Sequence, residues 1–275
     1  MRNLPKRLVA GYTFIFGGHI QGDFCMPRKP PRDTSETSVI DLGALASKKN
    51  FDSYYDHPYT EEQEIPFFNF LSQKGKGAAV VVVGTASSED VILSEYDDQA
   101  EMGGGDDIAV GGPGNDTISG GSHNDFLFGD TDLGIGNVDW DVDDVLNGDD
   151  GEDLIYGDAP NLFDNAIGGA DTLTGGTGDD TLWGDGHLWD AAVGGADVFV
   201  FEPGSGNDVV MDFRQGDGDV IDVSAYGFDY IGDVNIKDLG ESTLVEFGEP
   251  GAADSVELLN FAVSALLSFD DFVFA

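Results

Sequence analysis

A nine-residue period runs through the middle of this chain and limits what it can fold into. In register, residues 102–110 read MGGGDDIAV, 111–119 GGPGNDTIS, 120–128 GGSHNDFLF, 148–156 GDDGEDLIY and 175–183 GGTGDDTLW. Partial copies lie at 84–93, 143–147, 168–174, 194–200 and 204–210. The sixth position reads as aspartate in each: Asp90, Asp107, Asp116, Asp125, Asp144, Asp153, Asp171, Asp180, Asp197 and Asp208. Two residues further on stand Ile92, Ala109, Ile118, Leu127, Leu146, Ile155, Leu173, Leu182, Phe199 and Val210. One inward apolar residue per short strand predicts a narrow coil of stacked parallel strands, each turn too small to be stable alone. A flexible Gly/Asp linker would not hold an apolar residue at a constant offset.

These residues resemble the RTX, or hemolysin-type, calcium-binding repeat G-G-x-G-x-D-x-U-x, in which U is large and apolar. The resemblance covers about residues 84–225. It implies a parallel β-roll with two nonamers per turn, and calcium between neighbouring turns held by backbone carbonyls and the sixth-position aspartate. The ligand set it implies is Asp107, Gly111, Asp116, Gly120, Asp125, Asp144, Gly148, Asp150, Asp153, Asp171, Gly175, Thr177, Asp180, Asp197, Asp208, Asp217 and Asp219. Calcium chemistry agrees, because a hard cation needing six to eight oxygens suits a turn where glycine lets carbonyls face inward and aspartate supplies charge.

Charge makes the same demand. The chain carries 12 Lys+Arg against 53 Asp+Glu, a net charge of −41. After residue 100 the only basic residues are Arg214 and Lys237. A compact polyanion repels itself unless cations enter, and the same charge disfavours nucleic acid and anionic lipid as partners. No stretch of 18 apolar residues predicts a membrane-spanning helix. Cys25 is the single cysteine, which excludes an internal disulfide and leaves stapling to metal. The start, MRNLPKR followed by LVAGYTFIFGGHI, imitates a signal peptide without a clean cleavage site.

A longer period is laid over the short one. Residues 125–130, 153–158 and 180–185 share the form D-x-U-aromatic-G-D, and each opens an expanded loop: 129–143, 157–170 and 184–196. Consecutive turns of a roll alternate edges, so all three long loops fall on one edge. The better calcium sites are expected on the short edge, at 120–124, 148–152, 175–179 and 203–207. The long loops carry Trp140, Phe163 and Trp189, with Leu162 and Leu188 beside the last two. Either these aromatics form a contact surface for a protein or glycan, or each folds back over its own roll.

Residues 194–224, GGADVFVFEPGSGNDVVMDFRQGDGDVIDVS, resemble the end of the repeat region in serralysin-type secreted proteases. That likeness implies last cation sites lined by Asp208, Asp212, Asp217, Asp219 and Asp222. Alternating residues from 234 to 275 predict an antiparallel β cap. The final SFDDFVFA resembles an uncleaved type I secretion signal. The expected class is mainly β, in three parts: 1–83 N-terminal, β-rich or mixed; 84–225 the roll; 226–275 the cap.

No zinc helix HExxH occurs among His19, His57, His123 and His187, and no GxSxG elbow is present. Cys25 has no evident chemical partner, and Glu61, Glu62 and Glu64 read as a solvated acidic run. The group least easily set aside is His57 among Tyr54, Tyr55, Asp56 and Tyr59. The expected function is therefore a non-enzymatic calcium-folded structural or interaction protein, acting through 1–83 and the long-loop edge. It is expected outside the cell or on a larger assembly such as a matrix, S-layer or virus particle. The alternative is a secreted enzyme with a small N-terminal active site.

Overall fold

The structure, a computed structural model, describes residues 38–41, 79–130, 142–163, 165–248, 251–262 and 267–275. Cys25, His19, His57, the 61–64 acidic run and Trp140 lie outside the described residues.

Short β-prone segments separated by glycine turns form two facing sheets that the chain visits alternately. The first sheet runs β1 (Ser38–Asp41), β2 (Val80–Thr85), β4 (Gln99–Gly103), β6 (Thr117–Ser122), β8 (Val145–Asp150), β11 (Thr172–Thr174), β14 (Val198–Val200), β16 (Val220–Asp222), β20 (Phe272–Val273). All its pairings are parallel. The second contains β3 (Asp90–Ile92), β5 (Ile108–Val110), β7 (Phe126–Phe128), β9 (Leu154–Tyr156), β12 (Thr181–Trp183), β15 (Asn207–Val210) and β19 (Ser255–Leu258), again parallel. This is a parallel β-roll.

Register carries the inward residues into two columns. Val82, Ala100, Ile118, Leu146, Leu173, Phe199, Ile221 and Phe272 stack along the first sheet. Val91, Ala109, Leu127, Ile155, Leu182, Val210 and Leu258 face them from the second. All are buried in one core. Fully burying each larger aliphatic contributes about 1.5–3 kcal/mol, but only once neighbouring turns are in place to bury it.

The first repeat is phased differently from its sequence reading. Val91 is 3% exposed whereas Ile92 is 36% exposed, so Glu89, not Asp90, stands at the sixth position. Taking Gly84 as position 1 places Glu89 at position 6, and Thr85 donates from both its backbone N–H and its hydroxyl to the Glu89 carboxylate.

The cap is antiparallel in part. β17 (Asn235–Asp238), β18 (Thr243–Glu246) and β19 pair antiparallel, yet β19 and β20 also continue the parallel sheets. They do so because Leu258 and Phe272 extend the inward columns. Phe201, Phe213, Phe247, Phe261 and Tyr226 close the end of the core through tilted, edge-on and stacked ring contacts.

Candidate metal centre

Two files of aspartates line the edges where the chain passes between sheets. On one edge Oδ1 of Asp98, Asp116, Asp144, Asp171, Asp197 and Asp219 accepts, in turn, the backbone N–H of Val80, Asp98, Asp116, Asp144, Asp171 and Asp197, at 2.6–3.2 Å. On the other, Asp107, Asp125, Asp153, Asp180 and Asp208 accept from Glu89, Asp107, Asp125, Asp153 and Asp180 at 2.7–3.0 Å. Each sixth-position aspartate thus fixes the turn before it. The first file lies on the edge of the long loops, as the alternation of edges requires.

The other carboxylate oxygen is left over. Oδ2 of Asp107, Asp116, Asp125, Asp144, Asp153, Asp171, Asp180, Asp197 and Asp208 is buried without a hydrogen-bond partner. A buried unpaired carboxylate costs several kcal/mol, so it calls for a cation. The glycines at position 1 show where that cation would go. A Cβ on Gly111, Gly120, Gly148 or Gly175 would fall closer than 3.0 Å to Oδ2 of Asp116, Asp125, Asp153 or Asp180 respectively. At Gly111 and Gly148 the next turn's carbonyl, of Gly129 and Gly175, meets the same point. None of these four glycines has a left-handed φ, so glycine is there for space rather than backbone freedom. Among the described residues no three His, Cys, Asp or Glu side chains converge, so the oxygen shell is shared between carboxylates and backbone. One or two carboxylates with inward carbonyls suit calcium.

Electrostatics agrees. Burial, the largest cause in each case, pushes the pKa of Asp107, Asp116, Asp171 and Asp208 up to about 8, Asp153 and Asp219 to about 7, and Asp125 and Asp180 to about 6. Asp144 rises to about 11 because burial is joined by Asp130, Asp171 and Asp116. Without cations burial disfavours the ionised form of all these carboxyls, and calcium offsets that cost by binding the carboxylate in place of a proton.

Several expected ligands sit elsewhere. Asp150 and Thr177 are exposed, and Thr177 Oγ1 donates to Asp150 Oδ1 at 2.8 Å, outside the buried cradles. Their carbonyls accept the N–H groups of His123 and Gly151. Asp217 is half-buried in the 214–219 turn. The expectation that the short edge holds the better sites also changes, since the long edge repeats the same cradle. There Gly129, Gly157 and Gly184 face Oδ2 of Asp144, Asp171 and Asp197, because each insertion follows position 1 and leaves position 6 intact. Asp98 was missed because Leu93, Ser94 and Tyr96 replace the repeat's glycines.

Outside the long edge an aromatic row runs across the turns. Phe128, Tyr156 and Trp183 stack at 5.4 and 5.6 Å, in register on β7, β9 and β12. The row continues through His187 to Trp189, which stacks on Phe163 at 6.2 Å. Between the loops, β10 (Asn161–Leu162) pairs with β13 (His187–Leu188), and Trp189 Nε1 donates to Asn161 Oδ1 at 3.1 Å. Within these loops the aliphatic and aromatic residues part company. Leu162 and Leu188 turn inward onto Ala159, Ala166 and Ala192, while Phe163 and Trp189 stay 40% and 51% exposed. Among the described residues no helix is long and apolar enough to cross a membrane.

Residues 103–132, 142–159 and 166–187 match the family model of the RTX calcium-binding nonapeptide repeat, in four copies. Curated proteins give no match. Among solved structures, the AlgE6R3 subunit of the Azotobacter vinelandii mannuronan C5-epimerase is 29% identical, at a TM-score of 0.37 over 56% of this chain and 80% of that one. The AlgE6R2 subunit is 28% identical, at 0.39 over 58% and 91%. The extracellular lipase LipA of Serratia marcescens is 17% identical, at 0.32 over 73% of this chain and 40% of its own.

Proposed function

From a chain whose roll is built on RTX calcium-binding nonapeptide repeats, we propose a structural or interaction protein that calcium folds outside the cell and that meets a protein or glycan through its long-loop edge. The observation that carries this reading is the pair of buried aspartate files with unpaired Oδ2 atoms. Such a core closes only where calcium is plentiful, and oxygen cages in extracellular modules work at about 10⁻⁴–10⁻³ M. An acidic chain kept open by self-repulsion stays transportable until it reaches that concentration. Phe272 is buried as the last inward residue of the first sheet once the roll has formed. Display on a matrix, S-layer or virus particle is the setting in which such a module serves.

The exposed Phe163–Trp189 stack supports the contact role, because stacked aromatics over a fixed backbone are typical binding anchors. The test is cross-linking capture by the calcium-loaded full chain, compared with a Phe163→Ser/Trp189→Ser variant. Loss of captured protein or glycan with circular dichroism unchanged is expected. Capture equal to the wild type would remove this surface from the account.

A further inference from the structure

Among the buried carboxylates outside the nonapeptide ligand set, three stand at equivalent places on the long-loop edge. The compact turn 111–119 opens Gly111-Gly112, whereas the expanded turns open Gly129-Asp130, Gly157-Asp158 and Gly184-Asp185. Aspartate thus takes position 2, which the repeat gives to glycine. Asp130 is 1% exposed, and neither of its carboxylate oxygens has a partner among the described residues. Asp158 is 0% exposed; its Oδ1 accepts from the Gly169 N–H at 3.0 Å, and its Oδ2 is unpartnered.

The third member of the row is satisfied. Asp185 Oδ1 accepts from the Gly195 N–H at 2.6 Å, and its Oδ2 takes Nη1 of Arg214 at 2.6 Å. The same Nη1 stands 3.8 Å from Oδ2 of Asp212, which the strand register sets opposite Gly184 one turn on and which also accepts the backbone N–H groups of Gly184, Asp185 and Gly186. One of the two basic residues after residue 100 is therefore spent on filling the gap between Asp185 and Asp212. The preceding gaps offer the same carboxylates with no basic side chain shown against them.

Gly168 marks where a cation would sit in the middle gap. A Cβ there would fall closer than 3.0 Å to both Asp158 Oδ2 and Asp185 Oδ1. Its φ is not left-handed, so the requirement is again for space. Two carboxylates from successive turns converging on one point inside a roll of carbonyls make an oxygen site for a hard divalent cation.

We propose that the long-loop edge holds a second row of calcium ions, one between Asp130 and Asp158 and one between Asp158 and Asp185, and that the Arg214 guanidinium fills the last place of that row. The row lies beside the sixth-position aspartates of the same edge, and its position-2 carboxylates belong to the expanded turns alone.

Native mass spectrometry of the full chain at saturating calcium tests this. Asp158→Asn removes the carboxylate shared by both gaps, and the expected result is loss of both ions of the row with circular dichroism unchanged. An ion count equal to the wild type overturns the proposal. Arg214→Gln gives an independent readout should Asp158→Asn not fold: gain of one bound ion is expected, and an unchanged count overturns it. A wild-type chain that binds no calcium would defeat the calcium-folded roll as a whole; equal, non-zero counts defeat only this row.

Discussion

Gly148→Ala separates the space needed for calcium from the backbone freedom usually credited to glycine. The new Cβ falls closer than 3.0 Å to Asp153 Oδ2 and to the Gly175 carbonyl oxygen. Because the φ of Gly148 is not left-handed, alanine meets no backbone strain, and in open space it would stabilise by about 0.4–1 kcal/mol through the unfolded chain. Instead it costs about 1–3 kcal/mol in overpacking, since a backbone carbonyl cannot swing aside as a side chain can. It also displaces an ion that, at 100 times its Kd, contributes about 2.7 kcal/mol. Only the second loss depends on calcium. Near saturation, each bound ion adds about 1.4 kcal/mol of stability per tenfold rise in calcium. Urea unfolding of the full chain over a calcium series should show that slope reduced by one ion's worth in the variant. Gly216→Ala is the control, because its Cβ meets nothing within 4 Å and its φ is ordinary, so it should stay within about 0.5 kcal/mol. A Gly148→Ala slope equal to the wild type would refute the placement of an ion at that point.

Acid should partly substitute for calcium. Unfolded aspartates titrate near 4, whereas burial holds Asp125 and Asp180 at about 6 and Asp107 and Asp208 at about 8 in the calcium-free roll. The folded form therefore binds more protons across that window, so its stability falls as pH rises from about 4 to about 8. In EGTA, β signal should be greater at pH 5 than at pH 8, and the opposite order would contradict the burial of these groups. His123 occupies the fourth position of its repeat at φ 85°, where the consensus has glycine. His123→Gly should raise the urea midpoint, by about 1 kcal/mol in stability, and an unchanged midpoint would show that the turn carries no strain. Asp149, at φ 72°, should gain less from the same change because its carboxylate accepts from Ser119 and Asn147.

The inward columns were legible in the sequence because one buried residue per strand leaves a fixed offset from the aspartate. The alternation of edges followed from the same count. Phase failed where a neighbouring acid imitated the motif: Asp90 sits beside Glu89, and only the burial of Val91 distinguishes them. Asp98 was hidden because its turn lacks the glycines, although the Oδ1 hydrogen bond to the previous turn needs only a carboxylate. Gly129, Gly157 and Gly184 look like the first residues of loops until the strand register shows them stacked on Gly111. Asp130 and Asp158 open expanded loops in the sequence, and nothing local marks them as buried. Their burial is a long-range arrangement of neighbouring turns that no local pattern reports. Asp150 and Thr177 stand in the expected turns, but their exposed side chains pair with each other, a contact between neighbouring turns that the sequence does not announce.

Far-ultraviolet circular dichroism of the full chain in millimolar calcium and then in excess EGTA at pH 8 tests the central claim most directly. The account predicts a strong β signal with calcium, its loss on chelation and its return on adding calcium back, because the unpaired carboxylates of both files then repel one another. A spectrum unchanged by EGTA would mean that the roll is held by its apolar columns alone and that calcium does not fold this protein.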